Sequence, residues 1–205
     1  MTTLQLEDAQ AGTDLATFVR RALRVSPDGA MRIQAIGSVL ATWVEVLPGR
    51  SLTHAGLTLG LRVQRLAEEV EIDVAVPLVA LRDRFAREEG SSIYLPPQQV
   101  SASWLAITPP RSGWEAHEEI ATESLRDAAR LGVLEVADGT PPGAGAAAVA
   151  ALRERVWGRR LHDDIPAGAA FAADALGFLV GDTATWHRHG PWGRLATPAG
   201  FVLTR

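Results

Sequence analysis

The chain has 205 residues with no cysteine, and its 20 Lys-or-Arg positions are all arginine, against 24 acidic residues. The absence of cysteine and lysine excludes disulfide frameworks, thiolate zinc sites, thiol nucleophiles, Schiff-base lysines and the lysine of phosphate-binding loops. The net charge of −4 argues against sequence-independent nucleic-acid binding, because that kind of binding needs a positive field.

The amino-terminal residues and the apolar runs indicate a cytoplasmic protein. The first ten residues lack the basic start and the apolar run of a secretory signal. The longest apolar stretch, 167–180, contains Asp174 and is too short to cross a bilayer, so no membrane association is expected. Abundant Ala, Gly and Val, together with the use of arginine alone, indicate a GC-rich bacterial genome.

An amphipathic helix is predicted near the amino terminus. Thr13 or Asp14 provides a suitable N-cap, and the turn at 26–29 ends the helix. The apolar residues that follow the cap recur at helical spacing and form one core-facing stripe. The stripe consists of Leu15, Phe18, Val19, Ala22 and Leu23.

The next two apolar runs read as the strands of a hairpin. Segments 31–36 and 39–47 flank the pair 37–38, which is Gly-Ser and suits a tight type II′ turn. This turn sets Met31 opposite Val44 and fixes which residues of both strands share a face.

Two further runs alternate apolar and polar residues and read as a second hairpin. Segments 57–66 and 69–76 are joined by the pair 67–68, and the register that matches both apolar faces sets Leu61 opposite Val74. Such alternation is typical of an antiparallel sheet with one face in the core and one face in water.

Helices and short strands are predicted beyond the second hairpin. Segment 114–131 has its acidic residues at the start and its arginines at the end, which suits the helix dipole. Short strands are expected at 92–95 and 103–107, and the tail from residue 185 reads as a hairpin. The predicted helices are 77–89, 114–131, 146–160 and 167–180.

A Pro- and Gly-rich stretch, 138–145, is predicted to be a linker. It divides the chain into a sheet-and-helix region, 1–137, and a C-terminal region, 146–205, of two helices and a hairpin packed against the first. The predicted fold class is α+β: an antiparallel sheet with an N-terminal meander, helices packed on one face, and a C-terminal helical and hairpin section.

The main group of candidate binding residues lies in the tail, where tryptophan and arginine stand among polar residues and a Gly-Pro pair. Trp and Arg are enriched at the centres of protein–protein interfaces. A second group, Trp157 with the arginines of 153–160, reads as a solvated helix face with the Trp157 ring in the core. The predicted binding surface consists of Trp186, Arg188, Trp192 and Arg194.

Histidines in the same region suggest an alternative site. In an extended 186–189 segment, His187 and His189 point to the same face, as two ligands of one metal ion would. The loop His162-Asp163-Asp164 adds an imidazole and two carboxylates, which bind divalent cations or carry out acid–base chemistry. A competing interpretation makes Asp164 the N-cap of the following helix.

Two functional classes stay open on the sequence. It contains no Gly-x-Ser-x-Gly elbow and no Gly-x-Gly-x-x-Gly after a strand, so neither a hydrolase nucleophile nor a dinucleotide cofactor is predicted. The preferred hypothesis is a non-enzymatic protein without a cofactor, whose tail binds a protein partner or a second copy rather than nucleic acid. The alternative is a small metal-assisted enzyme that uses His187, His189 and the 162–164 loop. A third hypothesis is a pocket for an apolar small molecule between the sheet and the Ala-rich helix.

Overall fold

The structure is a computed structural model that describes residues 2–50, 53–87, 90–162 and 164–205. Spatial contacts divide the chain into two units. The first unit comprises the residues up to Val46 together with Gly60–Thr108, and the second comprises Leu47–Leu59 together with Pro109–Arg205. Both units combine helices with antiparallel strands, so the predicted α+β class is confirmed.

The first unit holds most of the elements between residues 3 and 106. In chain order they are β1 (Thr3–Gln5), α1 (Ala9–Val25), β2 (Ala30–Ile36), β3 (Val39–Leu47), β4 (Thr58–Arg65), β5 (Ile72–Pro77), α2 (Leu78–Phe85), β6 (Ser92–Tyr94) and a 3₁₀ helix (Ser103–Ala106). Four strands lie side by side in the order β5-β2-β3-β4, and β1 pairs with β6. Helix α2 follows β5 directly and contacts α1.

Helix α1 is the predicted amphipathic helix, but it begins earlier than predicted. The Asp8 carboxylate accepts a hydrogen bond from the Ala11 N–H at 2.8 Å and caps the helix. The predicted caps at Thr13 and Asp14 were therefore wrong. The apolar stripe is confirmed by four buried side chains, Leu15, Phe18, Val19 and Ala22.

The first predicted hairpin is confirmed in its register. Strands β2 and β3 pair with Met31 opposite Val44 and Arg32 opposite Trp43. Gly37 in the turn has a φ of 58°, a left-handed conformation that glycine adopts without strain.

The second predicted hairpin, between β4 and β5, was wrong. Strand β5 pairs with β2 instead and places Val74 opposite Ile33. On the polar face of this pair, the Arg32 guanidinium donates to both carboxylate oxygens of Asp73, at 2.7 and 2.6 Å. This bidentate bond raises the pKa of Arg32 and joins the two strands on their polar face.

The apolar side of β4 is buried at Leu59 and Leu61, as predicted, but its polar side contacts α1 instead of water. Arg62 donates to the Asp14 carboxylate at 2.8 Å, and the Gln64 amide donates to the carbonyl oxygen of Ala11 at 2.8 Å. Val63, on the same side of the alternating segment 57–66, is 45% exposed. The apolar alternation therefore holds at Leu59 and Leu61 and fails at Val63.

The second unit holds the remaining elements. In chain order they are β7 (Glu115–Ala121), α3 (Thr122–Asp138), α4 (Ala146–Trp157), β8 (Arg160–Leu161), β9 (Ile165–Pro166), α5 (Ala167–Leu176), β10 (Thr183–His189), β11 (Trp192–Thr197) and β12 (Gly200–Thr204). Four strands lie in the order β7-β10-β11-β12, all antiparallel to their neighbours, and β8 pairs with β9. The alanines of α5 are buried where this helix contacts α3, α4 and β12.

The segment predicted as a helix over 114–131 is a strand followed by a helix. Strand β7 pairs with β10, with Ile120 opposite Ala184. Helix α3 then begins at Thr122, whose hydroxyl donates to the carbonyl oxygen of Gly181 at 2.7 Å. Segment 103–107, predicted as a strand, is largely the 3₁₀ helix.

The Gly- and Pro-rich stretch 138–145 connects α3 to α4 inside the second unit. The two helices are held together by Arg159, which donates to both carboxylate oxygens of Glu135 at 3.0 and 2.9 Å. Gly132 of α3 packs directly against the Trp157 ring. The two units therefore part near residue 109, whereas composition alone favoured a division at 138–145.

Helices α2, α4 and α5 are shorter than predicted. Gly177, with a φ of 70°, ends α5 in the left-handed conformation common at helix C-termini. The predicted end of the 77–89 helix lies partly outside the described residues. Within the ranges that the structure describes, no helix has both the length and the apolarity that a membrane span requires.

Candidate binding site

The hairpin of β10 and β11 decides where the side chains of the tail point. Its register sets His189 opposite Trp192, Arg188 opposite Gly193 and Trp186 opposite Leu195. Side chains alternate along a strand, so Trp186 and Arg188 leave on one face while His187 and His189 leave on the other. The tail therefore presents two different surfaces.

Trp186 packs flat over Gly193, and this contact requires glycine. A Cβ atom at position 193 would lie 2.2 and 2.3 Å from two ring carbons of Trp186, and 3.1 Å from the Thr204 hydroxyl oxygen. Contacts that short do not occur between real side chains, so any larger residue would displace the indole. Trp186 itself is only 2% exposed.

A cavity of about 650 Å³ lies in the second unit beside Trp186. Residues of the Leu47–Leu59 segment, helix α4, strands β10 and β11, and Arg205 line it. We call it the tryptophan pocket, because three indole rings and three prolines form its apolar lining. These residues are Trp157, Trp186, Trp192, Pro48, Pro166 and Pro191. Cavities of this size hold a small ligand or a few side chains of a peptide.

Two indole N–H groups of the tryptophan pocket lack an acceptor. The Nε1 atoms of Trp157 and Trp186 are buried, and no atom of the described residues accepts a hydrogen bond from either. A buried donor without a partner costs about 1–3 kcal/mol. Because both nitrogen atoms are inaccessible to solvent, a ligand in the pocket cannot reach them unless the rings move.

The charged lining of the tryptophan pocket is predominantly basic. It contains two carboxylates, and both are already paired with arginines. Glu154 forms an ion pair with Arg50. Asp164 pairs with Arg160 at 3.3 Å and also with Arg188. Two more arginines, Arg153 and Arg205, complete the lining.

Three of the four predicted binding residues line this pocket. Trp186 and Arg188 line it from one face of the hairpin, Trp192 lines it from its position next to the turn, and Arg194 does not line it. The Arg194 guanidinium lies 4.7 Å from the Trp114 ring centroid and 5.3 Å from that of Phe201, a cation–π arrangement. Burial lowers the pKa of Arg194.

The predicted metal ligands do not form a described cluster. His187 lies on the same face as His189, and its Nδ1 atom is 3.2 Å from the carbonyl oxygen of Thr185. His162 Nδ1 is 3.7 Å from a Glu118 carboxylate oxygen. Asp163 lies outside the described residues. Across the described ranges, no group of three or more His, Cys, Asp or Glu side chains is placed to hold a metal ion, and the metal-assisted enzyme stays a prediction without a supporting contact.

The sequence did not indicate that the Leu47–Leu59 segment or helix α4 contributes to the lining of a pocket. The Leu47–Leu59 segment carries no binding motif, and it joins the tail through a backbone bond from the Arg205 N–H to the carbonyl oxygen of Leu57, at 3.0 Å. Trp157 was expected simply in the core, yet it lines the pocket while being only 5% exposed. The spacing of Ala150, Arg153 and Trp157, all on one side of α4, was the available signal.

Two family models match the chain. The model described as domain of unknown function (DUF8010) matches residues 1–106, and the one described as domain of unknown function (DUF8185) matches residues 109–205. No curated protein sequence matches the chain. The junction of the two matches lies near Thr108 and Pro109, where the two units also part.

Solved structures with the same fold are bacterial sliding clamps. The DNA polymerase sliding clamp of Caulobacter crescentus has 9% identity and a TM-score of 0.57, with 100% of this chain and 65% of the clamp chain covered. The DNA polymerase III beta subunit of Thermotoga maritima has 14% identity and a TM-score of 0.56, with coverages of 100% and 64%. The subunit of Pseudomonas aeruginosa has 11% identity and a TM-score of 0.55, with the same coverages. The chain thus shares their fold and spans about 65% of their length.

Proposed function

We propose that the chain, which belongs to the family described as domain of unknown function DUF8010, is a non-enzymatic protein-interaction module. In this proposal the second unit binds a short segment of a partner protein in the tryptophan pocket. The observation that carries the proposal is the cavity of about 650 Å³ in that unit, which is lined by tryptophans, prolines and arginines.

The composition of the pocket supports a peptide segment as its ligand. Indole rings and prolines provide apolar contact area, and Trp and Arg dominate the energetics of protein–protein contacts. Trp192 and Arg188 then contact the partner segment, and Trp186 forms the base of the pocket.

The fold gives a second line of support. A sliding clamp of Caulobacter crescentus was crystallised with polyethylene glycol bound to its proposed beta-motif tethering region. A clamp of Bartonella birtlesii was crystallised with griselimycin bound. Each of these clamps is 11% identical in sequence to this chain. We therefore transfer to it only the proposal that this fold offers a surface for binding a partner.

Filling the mouth of the pocket tests the proposal. Ala150 and Ala151 are adjacent, exposed residues of α4, but only Ala150 lines the pocket. We expect Ala150→Trp to lower the binding of selected peptides at least tenfold, which is about 1.4 kcal/mol, because the added ring occupies the cavity. Ala151→Trp is the matched control and leaves binding unchanged.

The measurement is selection of a random decapeptide library, displayed on phage, against the full-length chain. Peptides enriched by the wild-type chain and by the Ala151 variant, but not by the Ala150 variant, support the proposal. Equal enrichment by all three proteins contradicts it. Sedimentation velocity of the same proteins tests self-association: if a second copy fills the pocket, the wild-type chain is oligomeric and the Ala150 variant is monomeric.

A further inference from the structure

Among the described residues, the tryptophan pocket has more arginines than carboxylates to pair with them, and this imbalance indicates the chemistry of its ligand. In the part of the chain that the structure describes, five arginines and two carboxylates line the pocket. Three of the arginines, Arg50, Arg160 and Arg188, pair with the two carboxylates. Among the described residues, Arg153 and Arg205 have no carboxylate partner. The empty pocket therefore has an excess of positive charge.

The two unpaired arginines stand at defined positions. Arg153 lies one turn before Trp157 and one turn after Ala150 on α4, so these three residues share one side of the helix. Arg205 is anchored by its backbone: its N–H donates to Leu57, and its carbonyl oxygen accepts from the Gly56 N–H at 2.6 Å. Its guanidinium lies 5.7 Å from the centroid of the Trp192 ring.

Helix dipoles do not cancel this positive charge. The carboxyl end of α4, at Trp157 and Gly158, and the amino end of α5, at Pro166, both line the pocket. A helix places about half a negative charge at its carboxyl end and about half a positive charge at its amino end. The two ends offset each other, so the arginines decide the electrostatic potential.

From these observations we infer that the pocket selects an acidic peptide segment, with apolar side chains against the indole rings and Asp or Glu side chains paired with Arg153 and Arg205. The inference rests on the proposed function and adds the class of partner sequence. Guanidinium–carboxylate pairs are charge-assisted and directional, so they discriminate acids from amides. A neutral or basic segment would leave both arginines without a partner.

The experiment uses the decapeptide library and the full-length chain. We expect Asp and Glu to be over-represented in the enriched peptides relative to the unselected library. A synthetic copy of the most enriched peptide is then compared with its twin, in which every Asp and Glu is replaced by Asn and Gln. We expect the twin to bind at least tenfold more weakly, and the difference to shrink between 50 mM and 500 mM salt because screening weakens exposed ion pairs (a Debye length of about 10 Å at 0.1 M).

Three arginine variants identify the residues responsible. Arg153→Gln and Arg205→Gln each lower the affinity of the acidic peptide about three- to tenfold and leave the affinity of its amide twin unchanged. Arg155→Gln is the matched control: Arg155 lies on the same helix but does not line the pocket, and its variant binds both peptides as the wild-type chain does. Circular dichroism melting of each variant verifies that it is folded.

The outcomes separate the inference from the proposed function. Enriched peptides without an excess of acids, still lost with the Ala150→Trp chain, overturn the inference and leave the proposed function standing. No enrichment by the wild-type chain over the Ala150→Trp chain overturns both. Acidic peptides that bind Arg153→Gln and Arg205→Gln as tightly as the wild-type chain also overturn the assignment of these two arginines.

Discussion

Glu45 of β3 is a half-buried carboxylate that forms no hydrogen bond or ion pair with the described residues, and burial raises its pKa. Because desolvation disfavours the charged form, the folded chain holds a proton at Glu45 at a higher pH than the unfolded chain does. Below the unfolded pKa, about 4.3, both states are protonated and Glu45 costs nothing. Above the folded pKa the ionised carboxylate opposes folding, so this cost develops as the pH rises between the two values.

Replacement of Glu45 tests whether its ionised carboxylate opposes folding. We expect Glu45→Gln to raise the free energy of unfolding at pH 7, by less than about 1 kcal/mol because the site is only half-buried. The gain should disappear at pH 3.5, where the wild-type residue is neutral. Urea unfolding of the wild-type chain and of the Glu45→Gln variant at pH 7 and pH 3.5 measures the difference in the free energy of unfolding. A variant that is less stable than the wild-type chain at pH 7 would mean that Glu45 is stabilised by a partner.

At the residue scale, the tail also shows which part of the site could be read from the sequence. The two-residue turn at Gly190 and Pro191 sets His189 opposite Trp192. This short turn is visible in the sequence, but the predicted binding surface grouped Trp186 with Arg194, which the register of the hairpin places on opposite faces. The convergence of the tail with α4 and with the Leu47–Leu59 segment could not be read, because it depends on contacts between residues 29 or more positions apart, and more than a hundred apart for the Leu47–Leu59 segment.

For β7, the local sequence preference predicts a helix, whereas pairing with β10 makes the segment a strand. Its sequence is rich in Glu and Ala, which favour helices, and its acids precede arginines as in a dipole-stabilised helix. It is a strand because β10 pairs along its length, with a bulge between Trp186 and His187. Partner strands remote in sequence decide such segments. The hairpin of β2 and β3 was predictable because its pairing and its turn are local.

The two units share an arrangement that the order of elements conceals. In each, a helix precedes a three-stranded meander: α1 before β2, β3 and β4, and α5 before β10, β11 and β12. A fourth strand pairs with the first strand of the meander, β5 on β2 and β7 on β10. This fourth strand follows the meander in the first unit and precedes it in the second, so a search for a repeat in linear order fails.

The contact of α3 with α4 depends on a glycine inside a helix. A Cβ atom at Gly132 would lie 2.3 and 2.7 Å from ring carbons of Trp157. Gly132→Ala gains about 1 kcal/mol in helix propensity, but overpacking costs about 1–3 kcal/mol. We expect a net loss of stability in thermal melts and a change in tryptophan fluorescence as Trp157 moves.

Gly145 is the comparison for this prediction. It is the N-cap of α4, it has an extended backbone, and no atom lies within 4 Å of the position of its missing Cβ. Gly145→Ser adds a hydroxyl that accepts a hydrogen bond from the first turn, which stabilises the chain by a few tenths of a kcal/mol. If Gly132→Ala melts at or above the temperature of the wild-type chain, the Trp157 ring has room to shift and the contact is not tight.

On the scale of the whole molecule, the two family matches and the two units divide the chain differently. The matches are consecutive, 1–106 and 109–205, whereas the second unit takes Leu47–Leu59 from inside the first match. That segment supplies part of the pocket lining, including Pro48 and Arg50. A binding site divided in this way needs both family segments in one chain.

A fragment consisting of residues 109–205 should therefore be incomplete. It lacks the backbone partners of Arg205, which are Gly56 and Leu57, and it lacks Leu47, which packs on Gly168. Loss of two backbone hydrogen bonds and of a buried leucine costs several kcal/mol, a large share of the stability of a domain. We expect the fragment to melt well below the full-length chain and to lose binding of the library-selected decapeptides.

A synthetic peptide of residues 47–59 added in excess should restore part of the stability and part of the binding, because binding to the folded fragment shifts its folding equilibrium, while a scrambled peptide should not. A fragment that binds with full affinity alone would show that Leu47–Leu59 is dispensable and that the pocket is built by the second family segment by itself.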